Sequence, residues 1–267
     1  MPQMIDHIVI LVRDLDEASA SYARAGFTVT PGGVHAGGAT HNSLISFSDG
    51  TYVELIAFRQ PDPPQDHPWG SRLALGEGLI DYALASSDLR AESEALHAHG
   101  FTGQPREQGR LRPDGQRLDW RVLRLQQRAG DGALPFIIED ITPRDLRVPS
   151  GAATRHPLGV TRVAGLTLAV RQLVTGQERF HALLGIDGQQ SRRGNTDAPT
   201  GLRFPLGEQW LEIVQPATPD DDIARHIKQF GEGPYEVVLS GPAGAEPAVG
   251  ALLPSSTLHG ARIRMVH

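Results

Sequence analysis

The chain has 267 residues, 39% hydrophobic and 21% charged, with 30 glycines, no cysteine and a formal net charge of -6. Its length fits two domains or one large one, and its composition is that of a globular rather than a disordered protein. The acidic balance argues against a nucleic-acid partner, whose phosphates call for surplus Lys and Arg, and the missing cysteines exclude disulfides, thiolate nucleophiles and cysteine-built zinc sites.

Ile5 to Val12 reads as the first strand, with His7, Val9 and Leu11 on one face and Asp6, Ile8 and Ile10 on the other. Asp14 is the expected N-cap of a helix, Asp16 and Glu17 suit its positive end, and Gly26 closes it. Phe27-Thr28-Val29-Thr30 returns as a strand, and the Gly-rich stretch Gly32 to Thr40 leads into another at Asn42–Phe47. The Asp49-Gly50 turn then delivers Tyr52-Val53-Glu54-Leu55-Ile56. Glu54 is the odd residue there, because it shares a face with Tyr52 and Ile56. A buried carboxylate must be paired, metal-bound or protonated. The unit so far is β-α-β-β-β.

The unit repeats. Asp88-Leu89 and Gly100-Phe101 bracket a second helix as Asp14-Leu15 and Gly26-Phe27 bracket the first, which places Asp81 where His7 stands. Arg121–Leu125 and Leu134–Ile141 read as later strands of this copy, with Glu139 as the counterpart of Glu54. Thr142 to Leu158, rich in Pro, Ser and Gly, reads as a linker, giving domains 1–148 and 149–267. A third copy opens at Arg162 and carries Glu212 in the place of Glu54. A fourth opens at Gly233 and is too short for all its strands. In the third copy the His7 position falls on Gly165 or Leu166, so the second domain reads as a degenerate, structural partner of the first.

Paired β-α-β-β-β modules with a His on the first strand and a Glu on the last resemble the vicinal oxygen chelate superfamily. The stretches His35-Ala36-Gly37-Gly38-Ala39-Thr40-His41-Asn42 and Asp49-Gly50-Thr51-Tyr52-Val53-Glu54-Leu55 resemble its glyoxalase-like domain proteins. The resemblance implies an α+β fold in which repeated βαβββ modules form paired, cupped mixed β-sheets. It also implies a ligand site inside the cup. Carried over position by position, it gives His7, Glu54, Asp81 and Glu139 as ligands of a divalent metal (Mn, Fe, Ni, Zn or Mg) that would polarise two neighbouring oxygens of a small molecule. Asp81 departs from the pattern, where relatives more often carry His or a longer ligand. The activity implied is that of a lyase, isomerase or oxygenase with His7 and Glu54 as catalytic residues. A cup that only binds or sequesters a small molecule is the alternative.

Each residue also has a plainer reading. His7 suits a hydrogen-bonded core position, Glu54 a salt bridge across the cup, and Asp81 and Glu139 solvated strand ends. His35, His41 and Asn42 flank the Gly-rich loop and are expected near the ligand. Arg106, Arg110, Arg112, Arg117, Arg121, Arg124 and Arg128, interleaved with Asp114, Asp119 and Asp131, read as a solvated strand face and loop, with Arg121 or Arg124 available to an anionic substrate. Trp120 and Phe136 read as core or pocket lining. The expected partner is a small-molecule ligand, and a homodimer is compatible with the module pairing. No apolar run reaches membrane-spanning length and no export signal is recognisable, so a cytoplasmic protein is expected.

Overall fold

The computed structural model describes residues 4–60, 67, 69–126, 133–191, 200–241 and 250–266. The first module is β1 (Ile5–Val12), α1 (Leu15–Arg24), β2 (Thr30–His35), β3 (Thr40–Ser46) and β4 (Tyr52–Phe58). The second is β5 (Gly78–Ala85), α3 (Leu89–Ala98), β6 (Arg106–Leu111), β7 (Arg117–Arg124) and β8 (Phe136–Asp140), preceded by the short helix α2 (Gly70–Leu75). Both long helices start as the sequence predicts. Asp14 accepts from the amides of Asp16 and Glu17, and Asp88 from that of Ala91, so an orphan amide of each first turn is satisfied.

These strands form the expected paired, cupped mixed sheets. They close into a barrel in the order β1-β4-β3-β2-β6-β7-β8-β5. β1 is the hinge of the arrangement, parallel to β4 and antiparallel to β5. Closure occurs between β2 and β6, where only Val34 with Leu111 and His35 with Arg110 are in register. Gly33, at φ +133°, makes that seam, because a Cβ there would run into the Leu111 carbonyl.

The segment expected as a linker is packed. It contains α4 (Arg144–Arg147), and His156 accepts from the Thr28 amide at 2.9 Å through Nδ1 and contacts the Ser46 carbonyl at 3.0 Å through Nε2. Pro and Ser set its turns, while Arg147 and His156 anchor it. Beyond it come β9 (Arg162–Ala169), α5 (Leu173–Leu184), β10 (Gln189–Ser191), β11 (Gly201–Leu206), β12 (Gln209–Val214), α6 (Asp222–Phe230), β13 (Gly233–Ser240) and β14 (Ile263–Val266). They form an open six-stranded sheet, β10-β11-β12-β9-β13-β14. The fourth module is represented by its first and last strands, β13 and β14, paired in parallel.

One hydrophobic cluster joins the halves, running from Ile5, Ile8 and Ile10 through Tyr22 and Leu79 to Leu166, Leu168, Val237 and Leu239. Polar ties reinforce it. Gln209 accepts from the Ile5 amide and donates to the Ile5 and Val163 carbonyls, and the Tyr22 hydroxyl donates to the Leu258 carbonyl. A second cluster, including Val9, Leu11, Ile56, Trp120, Val122, Phe136 and Ile138, faces the barrel interior. No helix among the described residues is long and apolar enough to cross a membrane.

Candidate functional site

The barrel interior holds a cavity of about 710 Å³, and strand alternation decides which residues reach it. From β1 it receives His7, from β3 Thr40 and Asn42, from β4 Tyr52, Glu54 and Ile56, and from β7 Trp120, Val122 and Arg124. Glu54 is 6% exposed and His7 2% exposed, so both belong to the interior. The His7 Nε2 lies 3.6 Å from Glu54 Oε2, and His35 Nε2 lies 3.6 Å from Glu54 Oε1. The His7 ring stacks on Tyr52 with centroids 4.4 Å apart and meets the Phe136 ring edge-on at 5.3 Å.

The hydrogen-bond partners fix the chemistry of this pair. A register irregularity in β1 between Ile5 and His7 brings neighbouring side chains together, so that Asp6 Oδ1 sits 2.6 Å from His7 Nδ1. Strand alternation alone puts these two on opposite faces, so periodicity does not point to Asp6 as a site residue. Burial alone would raise the Asp6 carboxyl, but Arg147, with His7 and Arg144, holds it well below the usual carboxylate range. An ionised Asp6 only accepts, so His7 Nδ1 carries the proton and a neutral His7 presents a lone pair on Nε2 to the cavity. Asn42 is oriented by the same logic. Arg110 Nη1 only donates, to Asn42 Oδ1 at 2.9 Å, so Asn42 Nδ2 points at Glu54 Oε1, which accepts at 2.5 Å. Burial lowers the pKa of His35, with Glu54 opposing that shift. Its Nδ1 rests 2.8 Å from the Thr40 hydroxyl.

The other expected residues are distributed differently. Trp120 lines the cavity. His41 lies on the face of β3 opposite to Thr40 and Asn42, away from the cavity. Arg121 and Glu139 pair with each other at 3.2 Å outside the barrel, where Arg121 also meets Glu107. Arg124, on the inward face, is the arginine of β7 that reaches the cavity. Arg128 and Asp131 lie outside the described residues. Residues not singled out for the site also converge on it: Arg110, Arg147, Trp69 and His67.

The donor set does not fit the expected four-ligand metal site. The position equivalent to Glu54 in the second module is Phe136, not Glu139: Glu54 is in register with Val9, and Phe136 is in register with Ala83, which precedes Asp88 as Val9 precedes Asp14. A ring stands where the fourth ligand is expected. Asp81 is engaged as well. Its Oδ2 accepts from Arg124 at 2.9 Å and Trp69 Nε1 at 3.2 Å, and its Oδ1 from the Tyr82 amide at 2.9 Å. Among the described residues no group of three His, Cys, Asp or Glu side chains is arranged to hold a metal ion. The site is therefore a His7–Glu54 pair backed by Asp6 and Asn42, walled by Tyr52, Phe136, Trp69 and Trp120.

A barrel of two βαβββ modules with its polar pair on the first and last strands of one module defines a glyoxalase-like fold. The sequence model of the Glyoxalase-like domain family matches residues 5–184. The chain belongs to that family, within the vicinal oxygen chelate superfamily. No curated protein sequence matches it significantly. Among solved structures, a hypothetical protein from Staphylococcus aureus superposes with a TM-score of 0.73 at 13% identity, covering 98% of both chains. A triple mutant of 4-hydroxymandelate synthase from Streptomyces coelicolor gives 0.63 at 13% identity, over 90% of this chain and 71% of that one. A xylose isomerase-like TIM barrel/4-hydroxyphenylpyruvate dioxygenase fusion protein gives 0.54 at 17% identity, over 90% of this chain and 36% of that one. At these identities the likeness is one of fold.

Proposed function

We propose that the barrel binds a small molecule with adjacent oxygens and a flat apolar body, and that Glu54 and His7 move a proton on it, as an isomerase or lyase requires. The observation that carries this reading is the buried His7–Glu54 pair, 3.6 Å apart in a cavity of ligand size, with Asp6 fixing the other nitrogen of His7. Glu54 takes a proton from a carbon next to a carbonyl. The C–H bond breaks, an O–H bond forms on Glu54, and the electron pair moves to the carbonyl oxygen. His7 Nε2 takes the proton of the neighbouring hydroxyl and delivers it to the former carbonyl oxygen, the neighbouring oxygen becomes the new carbonyl, and Glu54 returns its proton to the adjacent carbon, so both residues end as they began.

The replacement of expected ligands by Phe136 and by the Asp81–Arg124 pair supports a second reading, a cup that binds without chemistry. One experiment separates them. A panel of 2-hydroxy and 2-oxo carbonyl compounds is incubated with the protein in deuterium oxide, and C–H exchange is followed by proton NMR. Catalysed exchange that falls about 10²–10⁴-fold in Glu54→Gln is the expected result. Exchange unchanged in that variant refutes the assignment of Glu54, and no exchange with any compound leaves the binding cup.

A further inference from the structure

Arg124 is an inward-facing cation with one edge unused. It stands in register with Phe136, on the face of β7 that also carries Trp120 and Val122 into the cavity. Its guanidinium carbon lies 5.0 Å from the centre of the Phe136 ring and 5.2 Å from that of Trp69, and both rings line the same cavity. Nη1 donates to Asp81 Oδ2 at 2.9 Å. That leaves Nε and Nη2, whose N–H bonds run side by side along the other edge. Neither has a partner among the described residues, neither is buried, and the side chain as a whole is 40% exposed.

The charge around this edge favours an anion. Asp81 is engaged by Arg124, by Trp69 Nε1 at 3.2 Å and by the Tyr82 amide at 2.9 Å. Arg106, in register with Val122 on the adjoining strand, also lines the cavity and has no carboxylate partner among the described residues. Its neighbour Glu107 turns to Arg121 outside the barrel. Two guanidinium groups against the single Asp81 carboxylate leave this end of the cavity with a positive charge in excess.

Position gives that charge its meaning. In the second module, the places that the chelate pattern fills with metal ligands hold Asp81 and Phe136, and Arg124 bonds the first and covers the second. A guanidinium is thus built into the half of the site that offers no ligands to a metal. Phe136 in turn meets the His7 ring edge-on at 5.3 Å, so a single benzene ring separates the guanidinium from the proton-transfer pair.

We propose that the Nε–Nη2 edge of Arg124 clamps a carboxylate of the ligand, and that the substrate is an aromatic acid carrying its two adjacent oxygens across the ring from that carboxylate. This rests on the reading of the barrel as a ligand cup with His7 and Glu54 at its reactive end. Two parallel N–H groups match a carboxylate oxygen for oxygen, which a neutral amide cannot reproduce. Arg124 is here a specificity residue.

The test compares 4-(hydroxyacetyl)benzoate with its neutral isostere 4-(hydroxyacetyl)benzamide, by titration calorimetry on the full chain and by the arginine Nε–H resonances of ¹⁵N-labelled protein. The benzoate is expected to bind at least about 10-fold more tightly and to shift one Nε–H resonance, identified by its absence in Arg124→Lys. Arg124→Met is expected to lose about 10–100-fold in benzoate affinity and to bind the benzamide as before. Arg124→Lys keeps the charge without the fork and recovers only part of that loss. The double variant Asp81→Asn, Arg124→Met spares the protein a stranded carboxylate, and the wild-type resonance shift needs no folded Arg124→Met. Equal affinity for the two probes, a preference that persists in Arg124→Met, or one lost in Arg106→Met alone overturns the proposal. So does tighter binding of 4-(hydroxyacetyl)phenyl phosphate than of the benzoate. Failure of every probe to bind overturns it too, while the panel of 2-hydroxy and 2-oxo carbonyl compounds judges the cup separately. Carboxylate preference with deuterium exchange untouched in Glu54→Gln keeps the clamp and sinks proton transfer by Glu54 alone.

Discussion

Replacing Asp6 by Asn is the most direct perturbation of the network beneath the cup. Asp6 is fully buried. It accepts from Arg147 through Nη1 at 3.0 Å and Nη2 at 3.1 Å, and from Arg144, besides holding His7. Breaking one side of a buried ion pair costs about 3–5 kcal/mol, because the surviving charge stays buried. Arg147 keeps Asp140 and the Tyr52 hydroxyl, so the loss belongs near the lower limit, about 3 kcal/mol. At about 2–4 °C per kcal/mol for a chain of this size, the melting temperature falls by roughly 6–12 °C. Because Arg147 also holds Asp140 and Tyr52, the double variant Asp6→Asn, Arg147→Met is less stable than either single variant but loses less than the sum of the two. The sign with pH is defined. Because the folded Asp6 pKa is depressed, its contribution is fully present above the unfolded carboxylate value near 4 and is lost only as pH falls through the depressed value. Urea unfolding followed by circular dichroism should therefore give the same gap between wild type and Asp6→Asn at pH 7 and pH 5.5. A gap under about 1 kcal/mol, or losses that simply add in the double variant, refutes the coupling of Asp6 with Arg147.

His226, beside Phe230 and Tyr235, has its pKa lowered to about 4 by burial, with Arg72 and Arg262 adding to the effect. Its neutral form is the folded one, so the stability it carries is complete above about 6.5 and is lost as pH falls toward 4. Partial exposure reduces the effect to roughly 1–2 kcal/mol, and His226→Gln should flatten the decline of the urea midpoint between pH 7 and 4.5 by that amount. The shared core predicts one unfolding event for both halves. Fluorescence from Trp69 and Trp120 in the barrel and Trp210 in the open sheet, isolated by pairwise Trp→Phe replacements, should report coincident midpoints, and midpoints several degrees apart contradict the common core.

What the sequence discloses here follows from periodicity and caps. Asp14 and Asp88 mark the two helices because their carboxylates cap orphan amides, and the module repeat follows from their spacing. His7 and Glu54 stand out because each is polar within a strand of apolar neighbours. The missed residues have identifiable causes. Glu139 resembles Glu54 in residue type, yet it lies three positions from Phe136, and an odd offset along a strand points to the other face. Arg110 sits in β6, whose residues Arg-Glu-Gln-Gly-Arg-Leu show no apolar alternation, because that wall of the barrel is polar. Arg147 comes from a stretch whose Pro and Ser content reads as linker. Asp6 meets His7 only through an irregularity of β1, which side-chain periodicity does not reveal.

The two halves of the chain dispose of their buried polar groups differently. Gly165 occupies the His7 position, and a Cβ there would run into the indole of Trp210, which stands in register with Gly165 as Tyr52 stands with His7. Val238 lies across from Gly165 as Ala83 lies across from His7, and its neighbour on the next strand is Arg264 where Ala83 has Phe136. Arg264 clasps the fully buried Glu236 through two bonds of 2.9 Å, and Arg203 pairs with Glu212 at 3.3 Å. The carboxylates of this half are thus satisfied by guanidinium groups of the same sheet, and a ligand would have to displace them. In the barrel the opposite holds. Glu54 is met by an amide and two imidazoles rather than a cation, and Arg110 has an N–H to spare. The buried polar groups of the barrel thus border a cavity lined with aromatic rings, whereas those of the open sheet are closed off by ion pairs within it.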